Sequence, residues 1–195
     1  MCFSSCFSCC THKSDSETLS GSKITVCFIG IDNAGKTTAF NTLRDDHTAI
    51  VVPTVGFDTS TINYGSNSVS LYDLGGGARI RDIWQYYFAQ VHGVVFFIDS
   101  ADSKRLEEAQ KCLLDTIDNQ YLKNKPLLIL CNKADKDEAL PIAKITRSLD
   151  LQVFETDFSI HGCISLPTDG KPHPLLTDAF DWIIKKINDD YSVLQ

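Results

Sequence analysis

Residues Gly30 to Thr37 read G-I-D-N-A-G-K-T, an unbroken G-x-x-x-x-G-K-[ST] pattern set between the apolar run Ile24 to Ile29 and the polar pair Thr37-Thr38. A strand, a glycine-bounded loop and a helix start, in that order, make a phosphate cradle. The glycines let the backbone curl so that its N–H groups face inward, Lys36 adds a point charge on the terminal phosphates, and the Thr37 hydroxyl is placed to ligate Mg²⁺. The helix that follows offers its positive N-terminus to the same anion. Gly30, Asp32, Asn33, Ala34, Gly35, Lys36, Thr37 and Thr38 are therefore the candidates for binding a nucleoside triphosphate. A plain glycine turn accounts for the glycines and leaves the Lys-Thr pair unexplained.

Outward from this loop, apolar runs bounded by turn residues predict strands at Lys23–Ile29, Phe57–Tyr64, Val69–Asp73, Val94–Asp99, Pro126–Cys131 and Gln152–Asp157. The runs V-V-F-F-I-D and L-L-I-L-C are nearly all apolar, as in parallel strands buried on both faces. Thr59–Tyr64 and Val69–Tyr72 instead alternate around G-S-N-S, an antiparallel hairpin for a sheet edge. Helices are predicted at Thr37–Arg44, Ile83–Gln90, Ser103–Gln120, Ile142–Leu149 and Leu175–Ile187, the third with Leu106, Ala109, Leu113 and Ile117 on one face. The alternation gives an α/β fold: a doubly wound, six-stranded, mostly parallel sheet with one antiparallel edge strand and helices on both faces. Ligands of such sheets bind at the carboxyl ends of the strands. The Pro- and Gly-broken stretch His161–Pro174 reads as a surface loop.

The chain has 195 residues, enough for one domain with a substantial core, and its 43% hydrophobic and 22% charged content is that of a globular protein. A net charge of −7 argues against nucleic acid as partner, since phosphate neutralisation needs clustered Lys and Arg. No apolar run reaches the roughly 18 residues of a membrane span, so membrane contact is expected to be peripheral. Cys27, Cys112 and Cys131 fall within apolar patterns and act as small hydrophobes, whereas Cys2, Cys6, Cys9 and Cys10 crowd into the first ten residues. The expected division is a cysteine-rich membrane-anchoring segment 1–22, a nucleotide-binding domain 23–190 and a short tail 191–195.

Two further motifs choose the ligand. Asn132 to Asp135, N-K-A-D, directly follow a core strand. The Asp135 carboxylate can accept two hydrogen bonds from the N1–H and exocyclic amine of guanine, a donor pair that adenine lacks. A site of that kind discriminates by roughly four to five powers of ten. Lys133 would lie along the base and Asn132 would tie this loop to the phosphate loop. Asp73-Leu74-Gly75-Gly76-Gly77 end the hairpin: Asp73 suits Mg²⁺ through water and the Gly76 N–H suits a γ-phosphate, while Thr54 in P-T-V-G supplies a second hydroxyl for the metal.

In this order, G-I-D-N-A-G-K-T-T, P-T-V-G-F, D-L-G-G, R-I-R-D-I-W-Q-Y-Y-F and N-K-A-D resemble the ADP-ribosylation-factor-like small GTPases, over about residues 23 to 187. The resemblance implies a Mg²⁺-dependent GTP/GDP switch, expected as a monomer, whose regions 46–57 and 73–92 reorder with the γ-phosphate and meet partners. Two positions depart from the family pattern. Its D-x-G-G-Q ends here in Gly77, removing the side chain that orients the attacking water. Its guanine-contacting Ser-Ala pair, expected before Gly162, is matched by Phe158-Ser159, which makes Ser159 and Ile160 base-site candidates. D-L-G-G-G together with an N-terminal cysteine cluster looks most like the ciliary Arf-like thirteen subfamily. That likeness implies weak or absent hydrolysis, residence on the cytoplasmic face of ciliary or flagellar membranes, and action of the GTP form as exchange factor for another Arf-like GTPase. The alternatives are a hydrolysis-competent GTPase of vesicle traffic and a nucleotide kinase, in which N-K-A-D would have no role.

The glycine that myristoylation needs after the initiator methionine is replaced by Cys2. Cys2, Cys6, Cys9 and Cys10, interleaved with Phe3 and Phe7, suit multiple S-palmitoylation, and two acyl chains give stable anchoring. The rivals are a cluster with no function and a zinc site, for which C-x₃-C-x₂-C-C lacks the usual two separated pairs.

Overall fold

A computed structural model describes residues 22–46, 50–149, 151 and 157–192. The element order is β1 (Lys23–Ile29), α1 (Lys36–Leu43), β2 (Phe57–Tyr64), β3 (Asn67–Leu74), a 3-10 turn at Arg81–Ile83, α2 (Gln85–Phe88), β4 (Gly93–Asp99), a 3-10 turn at Ser103–Arg105, α3 (Leu106–Ile117), β5 (Leu127–Asn132), α4 (Ile142–Leu149), β6 (Phe158–Gly162) and α5 (Pro174–Ser192). The six strands lie in the order β2-β3-β1-β4-β5-β6, with only the β2–β3 pairing antiparallel. The chain leaves β1 toward β3 and later crosses to β4 on its other side. The sheet therefore opens a crevice at the carboxyl ends of β1 and β4, and the phosphate loop fills it.

The apolar runs divide by strand periodicity into two cores. Cys27, Ile29, Phe96, Ile98, Ile129 and Cys131 face the side covered by α2, α3 and α4, where they meet Phe88, Leu113 and Ile145. Val26, Phe28, Val95, Phe97, Leu128 and Leu130 face α1 and α5, where they meet Phe40, Phe180 and Ile183. The rings of Phe28 and Phe97 lie 5.1 Å apart and those of Phe28 and Phe180 6.3 Å apart. Each of these phenylalanines is at most 1% exposed, and burial of each contributes about 2 kcal/mol.

The hairpin turns on Gly65 and Ser66, with Gly65 at a φ of 58 that favours glycine, and Tyr64 pairs with Asn67. At this far end the Tyr64 hydroxyl donates to Asp181 Oδ1 (2.8 Å) and to the Thr177 carbonyl (3.3 Å) on α5, with the ring edge-on to Phe180.

Most boundaries shift by one to three residues from the sequence expectation, and three differences matter more. The sixth strand lies at Phe158–Gly162 instead of Gln152–Asp157, of which residues 152–156 are outside the described residues. The helix expected from Ser103 begins as a 3-10 turn capped by Asp102, which accepts the Arg105 N–H. Helix α5 continues to Ser192, past the expected domain end at 190. Cys2, Cys6, Cys9 and Cys10 lie outside the described residues, as do 47–49 of the first switch region. Among the described residues no helix is long and apolar enough to cross a membrane.

Candidate nucleotide site

A cleft of about 530 Å³ runs along the carboxyl end of the sheet. Asp32, Asn33, Gly35, Lys36, Thr37 and Thr38 line it from the phosphate loop, and Thr54, Gly76 and Gly77 line it from the two switch segments. Asn132, Lys133 and Asp135 line the opposite end. Gly30, Ala34 and Asp73 stand directly behind this lining, bonded to its members.

The loop is held open around its own lysine. Lys36 is 5% exposed, and its ammonium donates to the carbonyls of Gly30 (3.0 Å) and Ile31 (2.9 Å). Burial pulls this ammonium down to about 8, against the opposing pull of Asp73 and Asp32. An anion supplying further negative charge is what the group lacks. Gly35 adopts a φ of 91 and lies so close to the Asn132 amide that no side chain fits there.

Three oxygens converge beside the loop. Asp73 Oδ2 accepts from Thr37 Oγ1 (2.6 Å) and Thr54 Oγ1 (3.2 Å), and the two hydroxyls lie 2.9 Å apart. Asp73 is fully buried, its Oδ1 has no hydrogen-bond partner, and burial raises its carboxyl above the usual carboxylate range. A buried carboxylate with an orphaned oxygen, flanked by two hydroxyls, is a hard oxygen donor set that fits Mg²⁺.

The second switch segment bends tightly over the loop. The Gly75 N–H donates to the Gly56 carbonyl (2.8 Å), Trp84 Nε1 to the Gly75 carbonyl (2.9 Å) and Arg81 Nε to the Gly76 carbonyl (2.8 Å). Arg81 continues to Glu108 (2.6 Å), while Arg105 reaches Asp32 Oδ2 (3.2 Å). A Cβ built on Gly76 would lie 2.5 Å from the Gly30 carbonyl oxygen and 2.6 Å from the Asp32 nitrogen. At Gly77 the corresponding space is open, with Ile80 Cδ1 at 3.9 Å the nearest heavy atom.

At the base end, Asn132 is 1% exposed and works as a clasp. Its Nδ2 donates to the Ala34 carbonyl (2.8 Å), and its Oδ1 accepts from Ser165 N–H (3.1 Å) and Ser165 Oγ (2.9 Å). One side chain thus joins the phosphate loop, the base loop and the segment after β6. That segment is where sequence reasoning places residues wrongly. Ser159 and Ile160 are in β6, paired with Leu128 and Ile129, and do not line the cleft. Ser165 and Leu166 line it instead. The usable signal is C-I-S immediately after the strand that ends at Gly162, hidden because composition favours a strand one segment too early.

A phosphate loop at one end of this cleft, a guanine-type carboxylate loop at the other and two switch segments between them define the architecture of a small GTPase. The model of the ADP-ribosylation factor family matches residues 12–187. Among curated relatives, "ADP-ribosylation factor-like protein 13B" of Chlamydomonas reinhardtii is 33% identical over 173 residues, 88% of this chain and 33% of the relative. The chain thus spans a third of that protein's length. "ADP-ribosylation factor K" of Dictyostelium discoideum is 30% identical over 187 residues, 95% of this chain and 93% of the relative. The solved Arl6 (BBS3) small GTPase of Trypanosoma brucei with the bound nucleotide analogue GppNp superposes with a TM-score of 0.76 at 25% identity, over 86% of this chain and 98% of that one. The chain belongs to the ADP-ribosylation factor family, whose members bind GTP and GDP and meet effectors and regulators through their switch regions.

Proposed function

We propose that this protein is a membrane-attached switch that stays loaded with GTP until exchange, because its own hydrolysis is very slow. The observation that carries this reading is Gly77. The position that would present a water-orienting side chain over the terminal phosphate is a glycine facing open space. Arg79 and Arg81 are no substitute, since a guanidinium cannot accept the water's proton and Arg81 is committed to Gly76 and Glu108.

In the loaded state the phosphate-loop N–H groups and Lys36 hold the phosphates, Asp135 reads the guanine edge and the Gly76 N–H meets the γ-phosphate. Thr37 and Thr54, with Asp73 through water, would hold Mg²⁺, which would supply positive charge to neutralise the phosphates. Partners dock on the first switch segment, where Ile50 (88% exposed) and Val55 (89% exposed) stand apolar in solvent, as does Val52. Their exposure supports a covering partner. The likeness to the Arf-like thirteen subfamily supports placement on ciliary or flagellar membranes and exchange-factor action on another Arf-like GTPase. Acylation at Cys2, Cys6, Cys9 and Cys10 supplies the anchor.

Single-turnover hydrolysis tests the central claim. Small GTPases bearing the glutamine hydrolyse GTP unaided at about 10⁻⁴ s⁻¹, and this protein is expected well below that, with or without a GTPase-activating protein. Gly77→Gln is expected to raise the rate, since residue 77 has room for a side chain. A wild-type rate matching a glutamine-bearing relative would promote the competent GTPase of vesicle traffic. For the anchor, hydroxylamine or the joint Cys9→Ser, Cys10→Ser change is expected to move the protein to the soluble fraction; membrane retention after both refutes thioester anchoring.

A further inference from the structure

Strands β4 and β5 end side by side, with Asp99 in register with Asn132. Asp99 is 6% exposed and uses both of its oxygens: Oδ1 accepts the Ala101 N–H (3.0 Å) and Oδ2 accepts the Lys133 ammonium (2.7 Å). Lys133 lines the cleft and has a φ of 60, a conformation that a residue with a side chain keeps only where its surroundings hold it. A lysine fixed only at its backbone samples many rotamers, because its stem is flexible. Here the carboxylate of Asp99, the last residue of β4, fixes the far end as well.

We propose that Asp99 is a positioning residue for the guanine nucleotide. By anchoring the Lys133 ammonium it lays the lysine methylenes along the wall of the cleft where the base lies, and so slows nucleotide release. The inference rests on the assignment of Lys133 to the base. A purely structural role is also defined by the geometry: the Oδ1 contact caps the turn through Ala101, whose neighbour Asp102 donates its N–H to the Asp99 carbonyl. Asparagine separates the two roles, since it keeps an acceptor for Ala101 and removes the charge that holds the lysine.

The experiment measures dissociation of GDP and of IDP, which lacks the 2-amino group, from wild type, Asp99→Asn, Lys133→Ala and the double variant. Asp99→Asn is expected to release both nucleotides about tenfold faster, the scale of removing one close charged pair at a binding site, with the GDP/IDP ratio unchanged. In the Lys133→Ala background it is expected to add nothing. A rate within about twofold of wild type, or full additivity with Lys133→Ala, overturns the proposal. A changed GDP/IDP ratio also overturns it, because the whole base loop would then have moved. If Lys133→Ala itself has no effect, the base assignment falls and the inference with it; if only Asp99→Asn is silent, the assignment stands and the inference alone falls. Should Asp99→Asn not fold, Lys133→Gln, which keeps much of the stem without the charge, is expected to release nucleotide nearly as fast as Lys133→Ala. Wild-type behaviour of Lys133→Gln overturns the proposal.

Discussion

Replacing Gly76 by alanine is expected to separate GTP binding from GDP binding. The added Cβ would lie 2.5 Å from the Gly30 carbonyl oxygen, 2.5 Å from Lys36 Nζ and 2.6 Å from the Asp32 nitrogen, where ordinary contact begins at 3.4 Å. The phosphate-loop backbone is fixed by the Asn132 clasp, and the lysine is buried and doubly bonded, so residue 76 is the partner that must retreat, by on the order of 0.8 Å. A retreat of that size stretches an N–H···O bond of about 2.9 Å beyond hydrogen-bond range. The hydrogen bond that breaks is one to a charged phosphate, worth about 1.5–3 kcal/mol, or about ten- to a hundredfold in affinity. GDP, without the γ-phosphate, does not use the Gly76 N–H. Titration with fluorescent GDP and with a non-hydrolysable GTP analogue reads the two constants separately. Unchanged affinity for the triphosphate would refute the reasoning. An equal loss for both nucleotides would refute it too, since the clash would then have been absorbed by the phosphate loop.

Asn132→Ala leaves the Ala34 carbonyl and the Ser165 N–H buried without the partner each now has, and the Ser165 hydroxyl with only the Cys163 thiol at 3.9 Å, at about 1–3 kcal/mol for each bond lost, and is expected to lower the melting temperature by about 10 °C; a shift under about 2 °C refutes the clasp. Because burial holds Lys36 near about 8 in the free protein, phosphates that raise it must make GTP binding take up protons above that pH and take up almost none below it. Calorimetry at about pH 8.5 in two buffers of different ionisation enthalpy detects the uptake, and proton release, or no buffer dependence, contradicts it.

Most of the fold is legible in the sequence because its decisive strands are central. The runs Val94–Asp99 and Leu127–Asn132 are buried on both faces, so their apolar continuity survives in the sequence. Strand β6 fails for the opposite reason. It is an edge strand paired only with β5, mostly half-buried, and F-S-I-H-G carries polar residues that an edge tolerates, whereas the preceding Q-V-F-E-T-D has the more strand-like composition. That misplacement carries Ser159 and Ile160 into the site and leaves Ser165 out. The phosphate and base loops are legible because each is a contiguous motif. The Asp99–Lys133 pair is not, since 34 residues separate partners that only the sheet register brings together.

The tyrosine at the tip of the β2–β3 hairpin has a mechanical consequence. The hairpin is tethered at its far end to α5 by Tyr64, while its near end continues into Gly56 and Gly75, bonded to each other beside the cleft. Eight residues of strand make a stiff arm on the order of 26 Å long. Sliding it by one residue, about 3.3 Å, would carry the Tyr64 hydroxyl, now 2.8 Å from Asp181 Oδ1, out of hydrogen-bond range. The Tyr64 contacts therefore oppose any sliding of the hairpin along its own length. The tether to α5 and the Gly56–Gly75 bond beside the cleft are thus opposite ends of one rigid element.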